Sequence, residues 1–176
     1  YAGHGEHTLG WHRPAATPAT SVIELFKSIS DVQWSDDIAQ QRWQKLAINC
    51  LINPFTVLHQ CRNGALLDLN IEPLQQQVAE EIVALAQTFA IELCPQQLLT
   101  KAKQVMLGTA ANRSSMLSDL ERGVRSEIDY LAGFVARQSV AKGLSAPANQ
   151  RLWQQVLEQE QEQEQEQQHQ TKNGLA

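Results

Sequence analysis

A chain of 176 residues with 43% hydrophobic and 19% charged content is long enough to bury one substantial core. Its net charge of -5 and pI near 5.5 count against nucleic acid, whose binders carry a basic face. No apolar run in the sequence reaches the roughly 18 residues that span a bilayer, and no signal peptide opens the chain. A cytoplasmic protein without membrane or nucleic-acid partners is therefore expected.

Residues 1–10 (YAGHGEHTLG) hold three glycines and no helical period, which suits a polar strand. His4 and His7 face opposite sides of such a strand. With His12 nearby they are read as polar surface groups rather than a metal site. Pro14 and Pro18 mark a loop. SVIELFKSI (residues 21–29) has apolar residues at helical spacing, and VQW (32–34) reads as a short strand.

Ser35, followed by Asp36 and Asp37, predicts a helix start, because a hydroxyl caps and acids complement the helix dipole. That helix should run to about Leu58, with a break or kink near Asn53 imposed by Pro54. Asn63-Gly64 predicts a turn. A long amphipathic helix is expected over residues 72–93, with Val78, Ile82, Leu85, Phe89 and Leu93 on one face. Pro95 should open the next helix, over 96–107. TAANRSSM (109–116) reads as a loop or helix start. Ser126 should cap a helix to Ser139, with Gly143 as its C-terminal stop.

Pro147 leads into a last helix through Leu152, Val156 and Leu157. The tail beyond it alternates Glu with Gln and has no apolar face, so it is expected to be frayed or disordered. Cys50, Cys61 and Cys94 lack CxxC spacing and read as reduced thiols packed as small hydrophobes.

Three polar residues stand out within QKLAINCLINPF. Lys45, Asn49 and Asn53 recur every fourth position, which keeps them on one helical face about 6 Å apart per step. On a helix otherwise apolar nearly all round, such a stripe is costly unless a polar network or a ligand meets it. On spacing alone, a solvated helix edge explains it equally well. Asn112, Ser114 and Ser115 form a second compact polar set, and Glu127 opens the segment EIDYLAGF. No GxGxxG, GxxxxGK[ST], GxSxG or HExxH occurs, so the chain carries no dinucleotide or phosphate fingerprint.

Taken together, KLAINCLINPFTVL (45–58), CRNG (61–64), NRSSMLSDL (112–120), EIDYLAGFVAR (127–137) and GLSAPANQRLW (143–153) resemble the C-terminal domain of the ketopantoate reductase family. The resemblance covers most of residues 40–153, in the family's order and about its spacing. It implies an all-α fold: the helical C-terminal domain of a 6-phosphogluconate dehydrogenase-like two-domain reductase, preceded by a short strand. Residues 1–20 would be the last strand of, and crossover from, a dinucleotide-binding domain. Residues 21–157 would form the helical substrate domain and 158–176 the Glu/Gln tail. The absence of an initial Met accords with a fragment.

The family reduces 2-dehydropantoate to (R)-pantoate with NADPH on the way to pantothenate and coenzyme A. By position, Lys45 resembles its catalytic, proton-donating lysine. Asn49, Asn53, Asn63, Asn112 and Ser115 fall where the family binds substrate, and Glu127 matches a glutamate associated with the lysine and the cofactor. An ammonium suits that role because hydride addition builds negative charge on the ketone oxygen. Apolar walls lower a lysine pKa and a carboxylate such as Glu127 raises it, so Lys45 and Glu127 are expected to approach one another at an open cleft. The implied partners are a 2-oxo acid and an N-terminal nucleotide domain, and helix faces left bare without that domain would promote homodimers. Alternatives are a reductase of another 2-oxo acid, or a helical interaction module that does no chemistry.

Overall fold

The computed structural model describes residues 7–10, 20–29, 32–35 and 37–173. Its elements in order are β1 (His7–Leu9), α1 (Thr20–Ile29), β2 (Val32–Trp34), α2 (Ile38–Leu58), a 3₁₀ segment (Asn63–Asp68), α3 (Glu72–Gln87), α4 (Pro95–Gly108), α5 (Ser115–Glu121), a 3₁₀ turn (Ile128–Tyr130), α6 (Ala132–Ala141) and α7 (Pro147–Asn173). The chain divides into two compact units, up to Gln44 and from Lys45 onward.

In the first unit, β1 and β2 pair in parallel, with His7 opposite Val32 and Leu9 opposite Trp34. Helix α1 connects them and packs on β2. The expected loop at Pro14 and Pro18, and His4, His12 and Asp36, lie outside the described residues. Capping of α2 falls two residues later than the sequence suggests. Asp37 Oδ1 accepts from Gln40 N at 3.0 Å, and Ser35 Oγ accepts from Asp37 N at 3.2 Å. Asp37 is the better placed because its carboxylate reaches the free N–H groups of the first turn.

The second unit is all helical. Phe55 and Leu51 from α2, Ile82 and Leu85 from α3, Met116 and Leu117 from α5, and Leu152 from α7 are among its fully buried side chains. Each such side chain contributes roughly 1.5–3 kcal/mol on leaving water. Helix α6 packs on α7, and α3 lies against α4, α6 and α7.

Three expectations are corrected. Helix α2 runs through Pro54 to Leu58 with no break in its assignment. Residues 50–57 are all buried, so packing holds the helix across the proline, and Gln75 Nε2 also donates to the neighbouring Leu51 O at 2.7 Å. Helix α3 stops at Gln87 instead of Leu93: Ala90 has φ of 56°, and Phe89 is 42% exposed beneath the Lys142 ammonium. The expected tail is no frayed end but the continuation of α7, which runs to Asn173. Glu and Gln are good helix formers, and a packed first half removes the cost of nucleation.

At two positions local chemistry and fold agree. Pro95 opens α4, and Gly143 follows α6 with φ of 73°. Past Ser126 the expected single helix divides into the 3₁₀ turn and α6, with Ser126 Oγ accepting from Ile128 N at 3.3 Å.

Candidate functional site

The polar stripe of α2 descends into the protein. Lys45 is exposed, Asn49 half-buried, Asn53 8% exposed, and Thr56, one turn further on the same face, fully buried. Neither the Asn49 nor the Asn53 side-chain amide has a hydrogen-bond partner among the described residues. A solvated helix edge would show uniform exposure; a structural network would show paired amides. The stripe does neither.

At its buried end the stripe meets the start of α5. Ser114 Oγ accepts from Leu117 N at 3.0 Å, a serine N-cap, and lies 2.6 Å from Thr56 Oγ1. Thr56 Oγ1 donates to Asn53 O at 2.7 Å, so its single proton is committed and Ser114 supplies the hydrogen between the two hydroxyls. This buried relay fixes the segment bearing Asn112 and Ser115 to the α2 face that bears Asn53.

A second tie comes from CRNG. Asn63 N donates to Asn112 O (3.0 Å), Gly64 N to Ala110 O (3.2 Å), and Arg62 Nη1 to Ala111 O (2.5 Å). Asn63 Nδ2 donates to Thr109 Oγ1 at 2.8 Å, while its buried Oδ1 has no partner among the described residues. Gly64 permits this approach, since a Cβ there would lie 2.6 Å from the Ala110 methyl. The Asn-Gly pair thus begins a 3₁₀ segment that clamps residues 109–112.

The fold therefore gathers Asn53, Asn63, Asn112 and Ser115 through Thr56, Ser114 and Thr109. Asn112 and Ser115 are exposed with uncommitted side chains among the described residues. Arg113, between them, pairs with Glu121 at 3.1 Å on the surface, where such a pair contributes at most about 1 kcal/mol. Thr56 and Thr109 were missed by motif reading. Thr56 was traceable, because it continues the Asn49/Asn53 face three residues on.

Lys45 and Glu127 form no ion pair among the described residues, and both are exposed. The expected contact is not made, and the apolar walls expected around the lysine are absent among those residues. Water solvates both charges well enough that attraction alone does not join them.

A pocket of about 90 Å³ opens elsewhere, between the Asn63–Asp68 segment, α3 and α4, lined by Leu66, Leu69, Ile71, Gln75 and Lys103 among others. It contains none of the predicted site residues.

All three cysteines are free. Burial pushes the thiols of Cys50 and Cys61 up, which keeps them protonated and unreactive near neutrality. No cluster of His, Cys, Asp and Glu fit for a metal ion occurs among the described residues. None of the described helices is long and apolar enough to cross a membrane.

Residues 37–160 match the family model described as Ketopantoate reductase PanE/ApbA C terminal. The chain is 35% identical over 157 residues to a 2-dehydropantoate 2-reductase of Vibrio cholerae, covering 89% of this chain and 53% of that protein. It is also 35% identical over 152 residues to the Yersinia pestis protein of the same name, covering 81% and 49%. A PanE/ApbA family ketopantoate reductase structure from Ralstonia eutropha superimposes with a TM-score of 0.80 at 29% identity, over 92% of this chain and 53% of that one. D-mandelate dehydrogenase, solved with NADH and anilino(oxo)acetate, shares the fold with a TM-score of 0.85 at 20% identity, over 92% and 68% of the two chains. The chain spans about half the length of the curated relatives it matches.

Proposed function

The chain belongs to the ketopantoate reductase C-terminal domain family, and from that premise we propose that it is the substrate half of an NADPH-dependent 2-dehydropantoate 2-reductase. The observation that carries the reading is the stripe of graded burial, whose amides at half-buried Asn49 and buried Asn53 lack protein partners among the described residues. On this reading the other half is an N-terminal dinucleotide-binding domain, to which residues 1–20 belong. Residues 21–157 bind substrate and the isolated chain turns over little. The reaction, reduction of 2-dehydropantoate to (R)-pantoate, serves pantothenate and coenzyme A synthesis in the cytoplasm.

Lys45 sits at the open end of the stripe, where an ammonium both stabilises charge growing on the keto oxygen and gives up the proton. Asn49 and Asn53 hold polar groups of the small acid along the descending face without adding charge. From the opposite side, Asn112 and Ser115 offer an amide and a hydroxyl. Asn63 has Nδ2 committed to Thr109, which leaves Oδ1 as the group it can offer substrate. NADPH, when bound, supplies the hydride. Glu127 is an exposed carboxylate without an ion-pair partner among the described residues, and it suits the hydroxyls of a bound nucleotide.

The test is NADPH oxidation by the full-length protein with ketopantoate and a panel of other 2-oxo acids, NADH being run in parallel. A clear kcat/KM preference for ketopantoate with NADPH is expected. Equal or better use of another 2-oxo acid would move the protein to that substrate, and no turnover with any would remove the enzyme reading.

A further inference from the structure

Helix α7 reaches the Glu127 segment at two points, and one lies in the Glu/Gln stretch that carries no motif. Glu160 is 8% exposed, and its Oε1 accepts from the backbone N of Ser126 at 2.9 Å. Trp153 Nε1 donates to Asp129 Oδ1 at 2.8 Å. Residues 153 and 160 are seven apart, hence on one face of α7 about 10 Å apart along its axis. The two bonds bracket Glu127, one residue before it and two after.

Other contacts lock the bracket. Ser126 is itself buried, and Ile128, immediately after Glu127, is fully buried. Arg137 Nη2 donates to Asp129 O at 2.7 Å, and its guanidinium lies 4.9 Å over the Trp153 ring. A Cβ at Gly133 would meet that ring at 2.9 Å, so the indole has little room to shift. The Glu127 side chain, in contrast, has no hydrogen bond or ion pair among the described residues. Its position is set by the backbone alone.

We propose that Glu160 and Trp153 are positioning residues that hold Glu127 in place for the nucleotide cofactor. The proposal rests on the reading of Glu127 given above. Other acids of the stretch, such as Glu162 and Glu164, are exposed, so burial marks Glu160 as different from its neighbours. Removing its carboxylate leaves a buried N–H unsatisfied and frees the start of the Glu127 turn.

The experiment measures steady-state kinetics and NADPH affinity of the full-length reductase for Glu160→Ala, Glu160→Gln, Trp153→Phe, Glu127→Ala and the double variant Glu127→Ala/Glu160→Ala. Glu160→Ala is expected to raise KM for NADPH about tenfold while changing kcat little. Glu160→Gln keeps an acceptor oxygen and should restore most of the affinity. Trp153→Phe, which keeps the ring and loses the donor, should shift KM in the same direction by less. The double variant should behave like Glu127→Ala alone.

An undiminished effect of Glu160→Ala in the Glu127→Ala background would overturn the proposal, as would wild-type NADPH affinity in Glu160→Ala. If Glu127→Ala itself binds NADPH normally, the reading of Glu127 falls and this role for Glu160 falls with it. A low yield of Glu160→Ala leaves Glu160→Gln and Trp153→Phe to decide, through the same KM-against-kcat split.

Discussion

Two helices of this protein carry polar residues where a simple amphipathic pattern does not explain them, and they resolve in opposite ways. In α2 the polar face turns inward: Lys45, Asn49, Asn53 and Thr56 pass from exposed to fully buried within eleven residues of sequence. In the second half of α7 most of the Glu and Gln side chains that the structure describes face solvent, and among them Glu160 alone is buried. The residue types are equally polar in both. What separates them is how far each face withdraws from water. Asn53 is 8% exposed and its amide has no protein partner among the described residues, which leaves its donors and acceptor open to a ligand, whereas Glu162 and Glu164 stay exposed.

The contrast can be broken most severely at Lys45. In the full-length protein, Lys45→Ala is expected to lower kcat by roughly 10²–10⁴-fold with NADPH affinity within about twofold, as read by steady-state kinetics and cofactor titration. Near-normal turnover would return the stripe to a solvated helix edge. Next in size is a control on the same helix facing the core. Leu51→Ala should lose about 2–5 kcal/mol in denaturant unfolding, which would mark α2 as a core helix whatever its polar face does.

Asn53→Ala tests the buried half of the stripe. About a tenfold rise in KM for the 2-oxo acid, with little change in melting temperature, is the expected result. A fall in melting temperature alone would make the amide structural. Ser114→Ala removes the α5 cap and the partner of Thr56, and should cost about 1 kcal/mol of stability by chemical denaturation. The smallest effect belongs to α7: Glu162→Ala and Glu164→Ala should each stay within about 0.5 kcal/mol of the parent protein.

Much of this is legible in the sequence, for identifiable reasons. Pro95 and Gly143 act through their own backbone geometry, and both fell where expected. The stripe itself is visible because a spacing of four is a local property of a helix. The errors share a different origin. Pro54 does break helices when only local terms count, yet buried neighbours hold α2 together. Phe89 and Leu93 continue an apolar period, but the chain leaves the helix at Gln87. The Glu/Gln repeat lacks an apolar face, yet it extends a helix already nucleated by Leu152 and Val156 against the core.

By itself, then, the sequence determined the helical class and the polar stripe, which follow from side-chain type and from spacing within a few residues, while the family came from the resemblance of segments spread over residues 40–153. Only the tertiary structure decided which of those polar groups are left unpaired. Thr56 meets Ser114 across 58 positions, Asn63 holds Thr109 across 46, and Glu160 reaches Ser126 across 34. A hydrogen-bond partner that distant is chosen by packing, and whether a polar group is satisfied depends on its partner as much as on itself. The Lys45–Asn49–Asn53 stripe was readable as a line of spacing. Its meaning came from the partners that the fold gave to its neighbours and withheld from it.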